Sequence, residues 1–368
     1  NAYSAALTEL PADQYPVTVK VKAGTKSASL RIERIAPAFS LSVKPEDIYA
    51  KRAYITVESS EVDAVKLALV VTFWKGASNK LKATRVGESA TFLVEGLASG
   101  IENTVWGSLV NRADAAESIT FTTEAARQLE NAGFETWYRE NGKTQYWWRD
   151  YPGASATTQW GTMNLYTTSE GGSNDNNFAG GNKDGMAYCA ISGTTSTTDK
   201  YFGNTAAVIR TVGWGRGNAV GAATTKCNHV DAGELFLGES QSTKDQKYGI
   251  SFASRPSAIS FYYKYRPKNS ADYGKAEVIV KDADGAVIAS QSFRIENQST
   301  YIKKTLDLTY VPGSKKAESL VVRFTSCDNP NCLQANKDCL NGFPQSGLGK
   351  DNTVIGSELY IDDIELIY

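Results

Sequence analysis

The chain is built from short runs in which apolar residues recur at every second position. Ala53-Ile55-Val57, Val65-Leu67-Leu69-Val71-Phe73, Phe92-Val94 and Ile259-Phe261-Tyr263-Tyr265 all show it. A repeat of two residues places every second side chain on the same face, which is the signature of a half-buried strand. Gly, Ser and Asn turns separate the runs at intervals of about 8–12 residues, a spacing typical of β-sandwiches. Strands do not alternate with helical patterns, so a doubly wound sheet or a β/α barrel is excluded. The composition agrees: 31 Gly and 19 Tyr against 2 Met and 1 His in 368 residues suits an all-β chain with many turns.

This length is comfortable for two domains. Residues 1–23 carry Pro11 and Pro16 and one alternating run, Val17 to Val21, and read as an extended lead-in that could supply an edge strand. Residues 24–127 read as an immunoglobulin-like sandwich. The segments Ala90 to Leu97, Asn103 to Leu109 and Thr120 to Glu124 resemble the last three strands of a fibronectin type III module, which implies a spacer role. Ala125 to Asn131 has room for one or two helical turns. Residues 128–368 form a larger sandwich with the strand spacing of a jelly roll. Within it Val278 to Val280, Asp284-Gly285 and Val287-Ile288 spell a hairpin.

A net charge of -1 with mixed signs gives no basic footprint for nucleic acid. No apolar run approaches the ~18 residues of a membrane-spanning helix. The chain begins at Asn1 rather than Met, which leads us to expect that an N-terminal segment has been removed. The five cysteines are Cys189, Cys227, Cys327, Cys332 and Cys339. Their spacing suits a disulfide within the Cys327–Cys339 loop better than a zinc site, whose ligands come in close Cys pairs with His partners.

Four of the seven tryptophans, Trp137, Trp147, Trp148 and Trp160, fall between Gly133 and Trp160. Adjacent strand residues face opposite ways, so Trp147 and Trp148 cannot both be core. Trp214 sits between glycines that give its ring little local cover. Trp147, Trp148, Tyr151 and Trp214 are therefore the candidate stacking residues for a sugar, with Arg149 and Arg216 as polar partners. Aromatic rings offer wide apolar area at small rotamer cost. The alternative is that the rings plug the ends of the sandwich, and Trp137 and Trp160 are read that way. Glu135, Asp150, Asp175, Asp184, Asp231 and Glu234 could supply the facing carboxyls of a glycoside hydrolase, yet nothing in the sequence selects a pair. Cys227 and His229 could share one strand face but have no evident third partner beyond Asp231. Gly213-x-Gly215-x-Gly217 has no helix start behind it and is not a phosphate cradle.

Gly133-Phe134-Glu135 opens the second domain, and Ile361-Asp362-Asp363-Ile364-Glu365-Leu366 closes it. Between them stand Trp160-Gly-Thr-Met-Asn164, Arg255-Pro256 leading into Phe261 to Tyr265, and Leu306 to Tyr310. This set resembles jelly-roll carbohydrate-binding modules and the PCMD family of Bacteroidetes surface lipoproteins, over nearly all of the second domain. The Cys327–Cys339 insert departs from that pattern. The resemblance implies a polysaccharide partner, a secreted or cell-surface place, and membrane attachment only through a removed N-terminal lipid anchor. In such modules the first and last strands run side by side and often hold a structural calcium. Glu135, Asp362 and Asp363 are the matching candidate Ca²⁺ ligands, hard oxygen donors of the right kind. The alternative is a carboxylate bonded to strand-end amides. The reading is an all-β, monomeric, non-catalytic glycan binder. A glycan-active enzyme and an adhesive or structural surface protein are its alternatives.

Overall fold

A computed structural model of the chain describes residues 17–32, 39–58, 67–72, 78–80, 83–86, 90–109, 112–141, 148–169, 182–183, 186–189, 192–216, 229–311, 313–333 and 355–368. In several strands, Trp148 and Arg216 among their residues, only the backbone is described. The chain divides into two compact units. The first holds residues 1–48 and 52–123, and the second 49–51 and 124–368.

The first unit is a sandwich of two four-stranded antiparallel sheets. Strands β3 (Ser40–Ser42), β4 (Arg52–Glu58), β7 (Ala83–Val86) and β8 (Ala90–Glu95) form one, in the order β3-β4-β8-β7. Strands β5 (Leu67–Thr72), β6 (Ser78–Lys80), β9 (Glu102–Leu109) and β10 (Arg112–Thr122) form the other, in the order β10-β9-β5-β6. Ala53, Ile55, Val57, Phe92, Val94 and Val105 fill the core, as their alternation requires. The expected lead-in is different. Val17 to Val21 belongs to β1 (Val17–Ala23), which pairs with β2 (Lys26–Ile32) as a separate hairpin turning at Gly24, so the strand that follows is its partner.

The second unit is also a β-sandwich. One sheet joins β13 (Trp160–Thr162), β19 (Glu234–Glu239), β26 (Ser319–Thr325), β23 (Gly274–Lys281) and β24 (Val287–Ile295) in that order. Here β20 (Lys247–Tyr248) pairs with β19, and β21 (Ile250–Ser251) with β26. The other joins β14 (Asn182–Lys183), β15 (Met186–Cys189), β17 (Ala206–Arg216), β27 (Ile355–Ile367), β22 (Ala258–Arg266) and β25 (Gln298–Asp307). Both β16 (Thr194–Thr197) and β18 (His229–Asp231) pair with β17. A small hairpin of β11 (Tyr138–Asn141) and β12 (Trp148–Tyr151) and one helical turn, α1 (Asn164–Thr167), stand apart from the sheets.

The alternation of β22 decides what each face of its sheet carries. Phe261, Tyr263 and Tyr265 point into the core, where Phe261 meets Phe324 edge-on at 5.0 Å between ring centres. Tyr262, Lys264 and Arg266 take the opposite face. Asp284-Gly285 lies at the turn of the expected hairpin, but the loop is longer than the two residues expected: the Asp282 amide donates to the Ala286 carbonyl at 2.9 Å, Gly285 has φ 78°, and the Asp282 carboxylate accepts the Asp284 and Ala286 amides at 2.9 Å. Among the described cysteines, Cys327 and Cys332 form a disulfide within the expected loop. Cys227 and Cys339, and the side chain of Cys189, lie outside the described residues.

Candidate functional site

The outer face of the β17-β27-β22-β25 sheet carries a strip of aromatic and charged side chains. Its aromatic end is Tyr201, in the 198–205 loop that enters β17. The Tyr201 ring lies on Tyr262 with centroids 3.6 Å apart and planes 11° apart. Tyr262 covers one face of the ring, and Tyr201 remains 49% exposed. Phe202 beside it is more exposed still. An aromatic ring supported from below and open above is a preformed stacking surface.

The loop is pinned where it meets the last strand. Asp362, buried on β27, accepts the amide N–H groups of Tyr201 at 2.8 Å and Phe202 at 3.1 Å through one oxygen. Its other oxygen accepts the Asp363 amide at 2.9 Å. Tyr301 donates its hydroxyl to the Asp199 carbonyl at 2.7 Å. Lys264, only 4% exposed, is ion-paired to the Asp199 carboxylate and sits 4.2 Å from the Tyr360 ring centre. Arg266 reaches the same carboxylate at 3.6 Å and the Tyr360 hydroxyl at 3.5 Å. Further along, Arg210 bonds Glu358 at 2.9 Å, and Glu358 accepts the Tyr360 hydroxyl at 3.1 Å. Burial, and then Glu358, pushes the Tyr360 phenol up to about 12; burial and Asp199 push Tyr301 higher. Both phenols stay protonated near neutral pH and can donate.

Two of the sequence-predicted stacking residues, Trp214 and Tyr151, are buried away from this strip. Trp214 is 2% exposed. Its indole N–H donates to Asp231 at 2.8 Å, with His229 stacked at 4.5 Å and Tyr166 edge-on at 4.7 Å. Its glycine neighbours give it no cover, but β18 and α1 do, and that cover is tertiary. Tyr151 is buried too. Its hydroxyl donates to Glu140 at 3.1 Å, and burial followed by Glu140 pushes it up to about 12. Arg149 is turned to Thr168 at 2.6 Å and Glu140 at 3.3 Å. Trp160 is core, donating to the Glu130 carbonyl at 2.8 Å, and Trp137 is half-buried. Trp147 lies outside the described residues, as do the side chains of Trp148 and Arg216. The expected indole ledge is therefore absent among the described tryptophans of this unit. The stack is made by tyrosines, whose one sequence signal was that Tyr262 and Lys264 fall on the non-core phase of a strand.

The candidate calcium ligands converge in part. Ile364 donates its amide to the Ala132 carbonyl at 3.0 Å, so the Gly133-Phe134-Glu135 segment does run beside the last strand. Opposite it the pairing slips between Ser260 and Tyr262, and Asp363 takes a left-handed φ of 45°. Such a bulge re-aims side chains that a regular strand would send to opposite faces. Asp363 lies near enough to Glu135 for repulsion, after burial, to push its carboxyl up. Burial also pushes Asp362 up, against its amide bonds. Both Glu135 oxygens accept the Asn204 amide, at 2.9 and 2.8 Å. Asp362 thus behaves as the amide-bonded carboxylate. Among the described residues the one close group of three ligating side chains is Asp272, Cys327 and Cys332, two of them joined as the disulfide.

Of the candidate catalytic acids, Asp150 is buried against Arg139, Asp231 holds Trp214, and Glu234 holds Arg323 and the Tyr248 hydroxyl. Asp175 and Asp184 lie outside the described residues.

No family model matches the chain, and no curated protein matches it. Three similar solved structures are carbohydrate-binding modules. One, described as the structural basis for the promiscuous specificity of modules from the β-sandwich superfamily, is 12% identical with a TM-score of 0.27, covering 91% of this chain and 100% of that one. TmCBM61 in complex with β-1,4-galactotriose is 10% identical at 0.26, covering 50% and 86%. The CBM22-1 xylan-binding domain from Paenibacillus barcinonensis Xyn10C is 13% identical at 0.22, covering 52% and 92%. Likeness at these TM-scores carries no argument about this chain.

Proposed function

We propose that the chain binds a polysaccharide, without catalysis, along the outer face of the β17-β27-β22-β25 sheet. The observation that carries this is the Tyr201 ring, seated flat on Tyr262 with its other side open to water. A pyranose presents an apolar C–H face to such a ring, while Arg266, Asp199 and Phe202 stand within the same strip. The cell-surface lipoprotein setting and the PCMD relationship belong to the same proposal and rest on the sequence resemblance. The structural partners of Asp150, Asp231 and Glu234 favour binding over hydrolysis.

Shallow sites of this kind hold ligand with a Kd of roughly 10⁻³–10⁻⁵ M, about 4–7 kcal/mol. Tyr201→Ala removes the stacking surface and is expected to weaken binding about tenfold, since one aromatic contact is worth about 0.5–1.5 kcal/mol beyond area. Titration of wild type and variant against a polysaccharide panel measures this. A wild type that binds none of the panel, or a variant that binds equally well, refutes the reading; release of reducing sugar refutes the non-catalytic part.

A calcium ion held by Glu135 and Asp363 is part of the same proposal. Two carboxylates close enough to repel each other are hard oxygen donors of the kind Ca²⁺ takes. Bound there, the ion would offset the repulsion from Glu135 that, after burial, pushes Asp363 up. Added Ca²⁺ is expected to raise the melting temperature of EDTA-stripped protein, by about 2.7 kcal/mol of stabilisation at a hundredfold excess over Kd. An unchanged thermogram would remove the ion from the account.

A further inference from the structure

The β1-β2 hairpin shares a sheet with no other described strand, and its register sorts its residues by chemistry. Cross-strand partners lie on one face. Val17 is opposite Ile32, Val19 opposite Leu30 and Val21 opposite Ala28, so one face is apolar as far as the turn, where Ala23 meets Lys26. The other face pairs Thr18 with Arg31, Lys20 with Ser29 and Lys22 with Ser27. No residue of either strand is buried, and Val21 and Leu30 on the apolar face are 62% and 64% exposed. A two-stranded hairpin with its apolar face in water is marginal by itself. Residues 17–32 include Lys20, Lys22, Lys26 and Arg31 but no Asp or Glu, in a chain whose net charge is -1. Arg31 is otherwise engaged. The three lysines have no acid within the hairpin to cancel them.

We propose that this hairpin lies on an anionic lipid surface. Its apolar face sits at the boundary between headgroups and acyl chains, with its lysines among the phosphates. Amphipathic elements with Lys on the polar face partition in this way. Each cation close to such a surface gains about fivefold in affinity. Lys26, on the apolar side at the turn, can lay its methylenes along that face and lift its ammonium to the phosphates. The backbone sets the depth. Each strand has one neighbour, so the two outer edges carry N–H and C=O groups that no strand takes. Headgroups and water satisfy such groups and hydrocarbon does not. Strands of 7 residues also fall short of the ~9–11 that cross a bilayer. The hairpin therefore rests on the membrane and does not span it. A second copy is the poorer occupant, because it sets another group of lysines against the first with no acid between them.

This proposal does not rest on the glycan site. The 368-residue chain is co-sedimented with vesicles of phosphatidylcholine and phosphatidylglycerol in equal parts, and with phosphatidylcholine vesicles. The expected result is binding to the mixed vesicles that falls with added salt and is about a hundredfold weaker on phosphatidylcholine. Lys20→Gln with Lys22→Gln lowers the affinity about thirtyfold. Val21→Ser with Leu30→Ser lowers it about tenfold. All four residues are exposed, so both double variants should fold, and their melting temperatures check that. Failure to sediment with the mixed vesicles, equal binding to both kinds, or an unchanged affinity in either double variant overturns the proposal. Self-association without vesicle binding, lost in Val21→Ser with Leu30→Ser, also overturns it and gives the face to a second copy.

Discussion

Replacing Arg255 with methionine is expected to lower the melting temperature of the second unit by about 10 °C. Arg255 lies in the segment between β21 and β22 and is fully buried. Its guanidinium meets Glu124 at 2.8 and 2.9 Å, and its own amide donates to the other Glu124 oxygen at 3.1 Å. The Tyr49 ring lies 3.8 Å from the guanidinium carbon, within the same unit. Taking away the cation strands a carboxylate out of water, which costs about 3–5 kcal/mol. At about 2–4 °C per kcal/mol for a unit of this size, a drop near 10 °C follows. The double variant Glu124→Gln, Arg255→Met leaves no buried charge and should recover much of the loss. Calorimetry of the two variants checks this. If the single variant melts within 2 °C of wild type, roughly 1 kcal/mol, the ion pair does not hold this segment.

Asp362→Ala is expected to cost about 3 kcal/mol and to abolish detectable glycan binding. Three amides, those of Tyr201, Phe202 and Asp363, lose their acceptor at once. A buried donor left unsatisfied costs about 1–3 kcal/mol, and partial access to water at the loop keeps the sum toward the low end. The removal of an acid whose carboxyl is pushed up by burial offsets part of it. The raised position also sets the sign with pH. Stability from this group is fully present below the ordinary carboxylate range and is lost as pH rises through its raised value. Asp362→Asn keeps one acceptor and should therefore lose less stability than Asp362→Ala. Binding should fall in both, because the loop that presents Tyr201 is fastened at this residue. Denaturant unfolding and titration of the three proteins give the answer. Full binding by Asp362→Ala would mean that the ring is positioned by its stack on Tyr262 alone.

The strands were legible because alternation is a local property. Phe92, Val94, Ile259 and Phe261 all reach the core on the phase their spacing demands. Trp214 and Tyr151 were misplaced because exposure is not local. Trp214 has bare neighbours in sequence and a sealed ring in space, covered by His229 and Tyr166 from other parts of the chain. Tyr201 has no sequence signal at all: it sits in a polar loop and becomes a platform only because Tyr262 lies beneath it. The two acids near the end of the chain were visible as a pair. Their division of labour was not, since the bulge at Asp363 depends on how β27 registers with β22.

What the residues determined unaided is the all-β character, the inward set of each strand and the place of the Asp284-Gly285 turn. These follow from periods of two and from turn chemistry, which act over a few neighbouring positions. Only the tertiary structure decided which rings meet water and which carboxylates hold amides. Each of these is set by cover and contact from strands far apart in the chain, and no pattern along the chain records which distant side chain will arrive.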